Sequence, residues 1–416
     1  MSKVFLKNIA EIQSGPFGTQ LHKDEYVEKG VLMLNAKNIG NGVVLTESVD
    51  YVSESVCSRL SQYVLREGDI LFGRAGSIER HTYIDKRYDG CFQGTNCIRI
   101  RCNNQKLSRF VSYYLWFPIV KRRIENQTGG SILSYITTDL LKEVEINLPD
   151  ELTVDRITKT LVMIDSKIQN NEAINDNLQQ QLKLMYDYWF TQFDFPNKDG
   201  SPYRSSGGQM APTNGLSYPI PVDWRIETVF KNRLSSIIKP GVMPFTTKTY
   251  LATAEVNGTS ISTGNTVDFE TRESRANMQP TENSVWFAKM KKSIKHLYLN
   301  PAMKPLIEES ILSTGFCGLK CSEYSFEYIA SFIEHSYFET LKDTLAHGAT
   351  QEAVNNDDLA GIALVIPPDE VLSLYHERAK GIYTQMSKNI CENQELIRLR
   401  DWLLPMLMNG QATVSD

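Results

Sequence analysis

A shift of 218 residues lays a long stretch of the first half of the chain on the second without a gap. Gly130 falls on Gly348, Asp139 on Asp357, Leu141 on Leu359 and Pro149 on Pro367. Aromatic positions upstream agree in kind, Phe110 with Tyr328 and Tyr114 with Phe332. Self-similarity at this period constrains the fold strongly, because two copies of one unit must each bury a core of their own. The chain has 416 residues, 41% of them hydrophobic, which is enough apolar material for two such cores.

Beyond the two prolines the same register runs into helical sequence. Ile157, Leu161, Ile164, Ile168, Asn171, Asn175, Leu178, Leu182, Met185 and Trp189 recur at alternating spacings of four and three, a heptad seam with two polar layers in its middle. The shift places Tyr375, Ala379, Ile382, Met386, Asn389, Asn393, Leu396, Arg400, Leu403 and Leu407 on them, with both Asn layers repeated. Arg400 is the seam position that departs from core chemistry. The spacing predicts helices over 151–191 and 369–408, each opened by Pro and acidic residues at Leu148-Pro149-Asp150-Glu151 and Pro367-Pro368-Asp369-Glu370. Antiparallel packing of one helix on the other would bury both seams and let the Asn layers fix the register. The expected class is α+β, an internal repeat with pseudo-twofold symmetry. It comprises globular units at 1–150 and 217–368, helical regions at 151–195 and 369–416, and a Pro/Gly/Ser-rich linker at 196–216. Short β-type runs in the units include Gly30–Leu34, Asp69–Phe72, Asn96–Ile100 and Ile362–Ile366.

Charge sharpens what such units could bind. The net charge is −5, from 44 basic and 49 acidic residues, so a globally basic nucleic-acid binder is excluded. Local patches remain. Residues 74–123 hold Arg74, Arg80, Lys86, Arg87, Arg99, Arg101, Lys106, Arg109, Lys121, Arg122 and Arg123 against Glu79, Asp85 and Asp89. In the second unit Lys289, Lys291, Lys292, Lys295 and Lys304 lie between Glu282 and Glu308 with no acid among them. Duplicated basic clusters in an acidic chain favour phosphate contact, since each cation there displaces a condensed counterion. Side chains that could read base edges are Asn35, Lys37 and Asn38, then Arg74 and Ser77, then Gln93, Thr95 and Asn96, and Ser131.

Catalytic signatures are missing from the sequence. It has no phosphate-binding Gly-x-x-x-x-Gly-Lys-Ser/Thr loop and no His-Glu-x-x-His helix, and Asn300-Pro301-Ala302-Met303 is not the Asn-Pro-Pro-aromatic signature of amino-methyltransferases. Cys91, Cys97 and Cys102 are spaced unlike a zinc site, and the six His suggest no triad. No metal is expected. An odd count of seven Cys, no signal peptide and no apolar run near the roughly 18 residues of a membrane span imply free thiols in a cytoplasmic, membrane-free setting.

With these parts in order the chain resembles the specificity (S) subunits of type I restriction–modification enzymes. The resemblance rests on Gly68-Asp69-Ile70-Leu71-Phe72-Gly73-Arg74-Ala75-Gly76-Ser77-Ile78, on Gly130-Ser131-Ile132-Leu133-Ser134-Tyr135-Ile136, on the Leu148-Pro149 exit into a heptad helix, and on Pro221-Val222-Asp223-Trp224. It departs from the pattern at Phe287-Ala288-Lys289-Met290-Lys291-Lys292-Ser293-Ile294, where a Gly-Arg-Gly-Ser type loop would stand. The resemblance implies two target recognition domains, each reading half of a bipartite asymmetric site in double-stranded DNA, with the helix pair as a spacer ruler. In the second half the candidate DNA contacts are Lys289, Lys291, Lys292, Thr350 and Gln351. The resemblance also implies a chain without intrinsic catalysis or cofactor. Two methyltransferase subunits would bring S-adenosylmethionine chemistry, and restriction-translocase subunits would bring ATP and Mg. The alternatives are the specificity component of another restriction system, of type IIB kind, and a standalone two-site nuclease.

Overall fold

The computed structural model describes residues 2–414 except 41, 47, 75–79 and 128–134. It divides into two compact units, Met1–Ile164 with Leu399–Asp416, and Asp165–Arg398. Each is built on a four-stranded antiparallel sheet. In the first unit β1 (Ala10–Ser14), β2 (Ile70–Gly73), β3 (His81–Tyr83) and β4 (Cys97–Cys102) lie in the order β1-β4-β2-β3. In the second, β5 (Ser235–Ile237), β6 (Ser284–Ala288), β7 (His296–Leu299) and β8 (Phe316–Cys321) lie in the order β5-β8-β6-β7. Position by position this is the same topology.

The repeat extends to the flanking elements. A second four-stranded sheet in each unit contains one parallel pair, Val31–Leu34 with Phe92–Gln93 and Lys248–Leu251 with Ser310–Ser313. A closing two-stranded ladder joins Ser2–Phe5 to Glu145–Leu148, and Arg225–Thr228 to Ala363–Ile366. These strands form because β-branched and aromatic residues fit a surface buried on both sides. Every residue of β2 and β6 is buried. Gly318 on β8 is there because the ring of Trp286 lies across it: a Cβ would stand 2.5 Å from that ring.

The long helices α1 (Glu151–Tyr186) and α2 (Asp369–Met408) start 218 residues apart, in the register of the repeat. Within the second unit they run antiparallel: Asn171 pairs with Asn393, and Asn175 with Asn389. Asn171 Nδ2 donates to Asn393 Oδ1 at 2.8 Å and to Glu392 at 2.7 Å, while Asn389 Nδ2 donates to Asn175 Oδ1 at 2.8 Å. Asn175 and Asn393 send their remaining amide donors to the backbone carbonyls of Met386 and Ile168. Buried amides paired across the seam cost little there, whereas any other register would orphan them. Within the first unit Val154, Ile157 and Leu161 of α1 share a core with Leu404, Leu407 and Met408 of α2. The seam residues Ile164 and Ile168 are buried, as are Leu182 and Met386. Leu178, Ile382, Leu396 and Leu403 are half-buried. Arg400, the odd seam residue, turns to Asp401.

Asn171→Ala is expected to cost about 1–3 kcal/mol, because the Asn393 amide loses its buried partner. Leu at both positions should recover most of that loss. Thermal unfolding of the two variants checks this, and a single variant as stable as wild type would count against it.

After α1 the chain passes through a π-helical turn at Asp187–Thr191, which brings the adjacent Trp189 and Phe190 both into the second core. The segment expected to be a linker is folded against this core. Phe195 stacks on Tyr203 at 4.7 Å, and Phe193 meets Trp224 edge-on at 5.5 Å. Among the described residues no helix is long and apolar enough to cross a membrane.

Candidate nucleic-acid interface

In the first unit the loops at one end of the sheet converge on Arg74. Gly73 closes β2 opposite Cys97, and the next residue leaves the ladder. The Arg74 amide donates to Asn96 O at 2.8 Å, and its carbonyl accepts from Ile136 N at 3.1 Å. Gly15 N donates to Cys97 O and Gly94 N to Leu34 O. Contact is close enough that a Cβ on Gly94 would stand 1.9 Å from Asn35 Oδ1, and one on Gly15 2.0 Å from Gly94 O. Only glycine permits this approach. Arg74 and Thr95 are half-buried and Asn96 is exposed.

Other expected readers have structural work instead. Asn38 is 1% exposed. Its Nδ2 donates to Leu45 O and Ser48 O, and its Oδ1 accepts from Asn35 N, so no group is left for a base. Asn35 donates to Asp50, and Lys37 forms an ion pair with the same carboxylate at 3.0 Å. Gln93 is fully buried, its Nε2 donating to Gln13 O and Cys97 O. Ser77 and Ser131 lie outside the described residues.

Much of the basic cluster is likewise engaged. Arg101 grips Asp69 through two hydrogen bonds of 2.7 and 2.6 Å. Arg99, 1% exposed, caps Gln62 O and pairs with Glu11. Arg87 pairs with Asp85, Lys106 with Glu151, and Arg109 stacks on the Tyr83 ring at 3.9 Å. Arg99 and Arg101, buried or half-buried, therefore brace the sheet instead of facing a ligand.

The second unit repeats the geometry around Lys289. Ala288 closes β6 opposite Phe316. The Lys289 amide donates to Gly315 O at 3.0 Å, and its carbonyl accepts from Val354 N at 3.0 Å. Val354 stands 218 residues after Ile136, so the same pair of backbone bonds brackets Arg74 and Lys289. Lys292, Thr350 and Gln351 are exposed, while Lys291 pairs with Glu352 at 2.9 Å. Lys295 donates to Thr253 O, and Lys304 lies 3.7 Å from Glu308.

The loop after β6 is held from beneath. Lys342, with no exposed surface, donates to Ala288 O at 3.3 Å and Ser293 O at 3.0 Å, on either side of Lys289–Lys292. Its ammonium lies 2.6 Å from Glu339 Oε2, an ion pair rather than an aligned hydrogen bond. Glu339 in turn bonds His296 at 2.9 Å.

Three side chains at these loop ends went unread in the sequence: Phe17 and Tyr135 are 58% and 49% exposed, and Arg275 is exposed beside Gly315. Phe17 had a signal, an aromatic following Gly15-Pro16. Arg275 had none, since only the fold brings it near Gly315. Among the described residues no cluster of His, Cys, Asp and Glu could hold a metal ion.

Residues 1–180 match the family model described as type I restriction modification DNA specificity domain. The MjaIX specificity subunit of Methanocaldococcus jannaschii is 20% identical, over 99% of this chain and 93% of its own. The HindI specificity subunit of Haemophilus influenzae is 22% identical, over 83% and 87%. The S subunit of a type I restriction–modification system from M. genitalium shares the fold, with a TM-score of 0.50 at 14% identity, over 98% of this chain and 95% of that one. Residues 1–180 are therefore similar to the type I restriction modification DNA specificity domain, and nearly the whole length of the chain is similar to the specificity subunits of type I restriction enzymes.

Proposed function

We propose that the chain is the DNA-reading subunit of a type I restriction–modification complex. Each repeat reads one half of a gapped, asymmetric site, and the helix pair sets the gap. The observation that carries this reading is the repetition of one topology with a bracketed cation at the same strand end in both copies. A net-acidic chain holds DNA through local contacts and depends on partners for the remainder of the grip. Those partners are two methyltransferase subunits, supplying S-adenosylmethionine chemistry on adenine, and restriction-translocase subunits, supplying ATP and Mg. The chain itself contributes recognition and a docking scaffold.

The test is co-expression with the methyltransferase subunit of the same system, followed by mapping of methylated adenines. A gapped, two-part motif is expected, and a continuous motif would overturn the reading. Cleavage or methyl transfer by the purified chain alone with Mg²⁺ would favour the standalone enzyme. Removing one heptad from each helix, at facing layers, shortens the pair by about 10 Å at 1.5 Å per residue. At about 3.4 Å per base pair the gap should then contract by about 3 base pairs. An unchanged gap would sink the ruler.

A further inference from the structure

The two loops that follow β2 and β6 have little sequence in common: Gly73-Arg74-Ala75-Gly76-Ser77 in one, Ala288-Lys289-Met290-Lys291-Lys292 in the other. Two things persist between them. The first residue beyond the ladder is a cation, and its backbone is fixed on both sides, to Asn96 O and Ile136 N in one unit and to Gly315 O and Val354 N in the other. Neither Arg74 nor Lys289 forms an ion pair with a described residue, so each side chain keeps its charge for a ligand.

Arg and Lys are not interchangeable at a base edge. The guanidinium presents a planar fork that matches guanine, and the ammonium is a point charge without one. What both do equally well is attract a phosphate oxygen, which is present whatever the sequence. Two repeats that read different half-sites can share only the sequence-independent part of the contact. A cation whose Cα is fixed by two backbone bonds loses only side-chain rotamers on engaging a ligand, which favours a positioning contact. The carbonyl that fixes the cation belongs to Asn96 in one unit and Gly315 in the other, so divergence begins one contact away.

We propose that Arg74 and Lys289 are a pseudosymmetric pair of DNA-phosphate anchors, one per repeat. They set the docking of each unit, while base discrimination falls to the divergent residues around them. This deepens the function proposed above and rests on it. It also reassigns Arg74 from base reading to positioning.

The test uses the complex of this chain with its methyltransferase subunit. Anisotropy titrations are run across a salt series with a duplex carrying the mapped site and with a scrambled duplex. Arg74→Gln and Lys289→Gln should each weaken both duplexes by a similar factor, on the order of 5–10-fold near physiological salt. Each should reduce the slope of log affinity against log salt by about 0.9. The methylated motif should stay unchanged, and Arg74→Lys and Lys289→Arg should retain affinity and slope. A motif that becomes degenerate in one half would overturn the assignment in favour of base reading, as would loss of affinity in Arg74→Lys. Wild-type slope in both Gln variants would overturn it in favour of no contact. Thermal midpoints of the variants separate misfolding from loss of an anchor, and the charge-retaining pair still reads the contact if a Gln variant unfolds. Variants that match a DNA-binding wild type remove the anchors alone. A wild-type complex that binds no duplex removes the underlying reading as well.

Discussion

Lys342→Met is expected to destabilise the second unit by about 3–5 kcal/mol, the usual loss when one partner of a buried ion pair is removed. Lys342 has no solvent exposure, and its ammonium serves Glu339 and the carbonyls of Ala288 and Ser293 at once. Methionine fills a similar volume but leaves the Glu339 carboxylate and both carbonyls without that donor. The loss is local in position and large in size because these acceptors are shielded from the water that would replace it. Urea unfolding followed by hydrogen exchange in peptides spanning 284–299 measures it, and an unchanged midpoint in those peptides would refute the assignment. A double variant with Glu339→Gln should lose less than the two single losses combined, since the orphaned carboxylate is then absent. On the function proposed above, Lys342→Met also frees the 289–293 loop, so DNA affinity should fall through the second repeat while the half-site assigned to the first repeat survives.

Much of this architecture was legible in the sequence because it rests on periodicity. The heptad spacing gave α1 and α2 with their starts in place, and two Asn in register implied polar layers that the fold pairs across the seam. Equal offsets of Gly, Asp and Pro pointed to one topology used twice. Side-chain assignments fared worse, for a definite reason. Composition counts cations but not their partners, and Arg101 finds Asp69 at a distance of 32 positions. Asn38 and Gln93 look like base readers by residue type, yet loop closure consumes their amides. The equivalence of Arg74 and Lys289 lies off the 218-residue register because loop lengths shift it to 215; the resemblance set the two loops opposite each other, and the shared backbone bonds pair the two residues. The expected linker failed similarly: Pro and Gly around Phe195 suggested an open segment, while Trp224, far along the chain, supplies the ring that orders it.

Acid should loosen the first unit before the second, because the repeat places a His at one position in two opposite environments. His81 faces Phe72 across the β2–β3 pair, as His296 faces Phe287 across β6–β7. His81 is 1% exposed, stacked between Phe72 at 4.7 Å and Trp116 at 4.3 Å, with Nε2 bonded to Ser112 O. Burial, with the charge of Lys121 adding to it, lowers its pKa to about 3. His296 instead lies between Glu334 and Glu339 at 2.9 Å each, and these carboxylates outweigh its burial and raise its pKa. An unfolded His titrates near 6.5. For His81 the unfolded state takes up the proton first, so stability is complete above about pH 6.5 and declines as pH falls toward 3. At pH 5 the expected loss is about 2 kcal/mol, from about 1.4 kcal/mol per unit of pH. For His296 the sign reverses: its contribution is complete below about pH 6.5 and is lost as pH rises through the raised folded pKa. Glu327, raised by burial, also gains its proton more readily in the folded state and opposes acid loss in the second unit. Between pH 7.5 and 5, protection from hydrogen exchange, taken relative to the intrinsic rate at each pH, should therefore fall in 70–116 and not in 284–339. His81→Gln should flatten the acid response of the first unit, even though its stability at pH 7.5 falls. Equal acid sensitivity of both units, or an unchanged slope in His81→Gln, would show that His81 does not control the first unit's response.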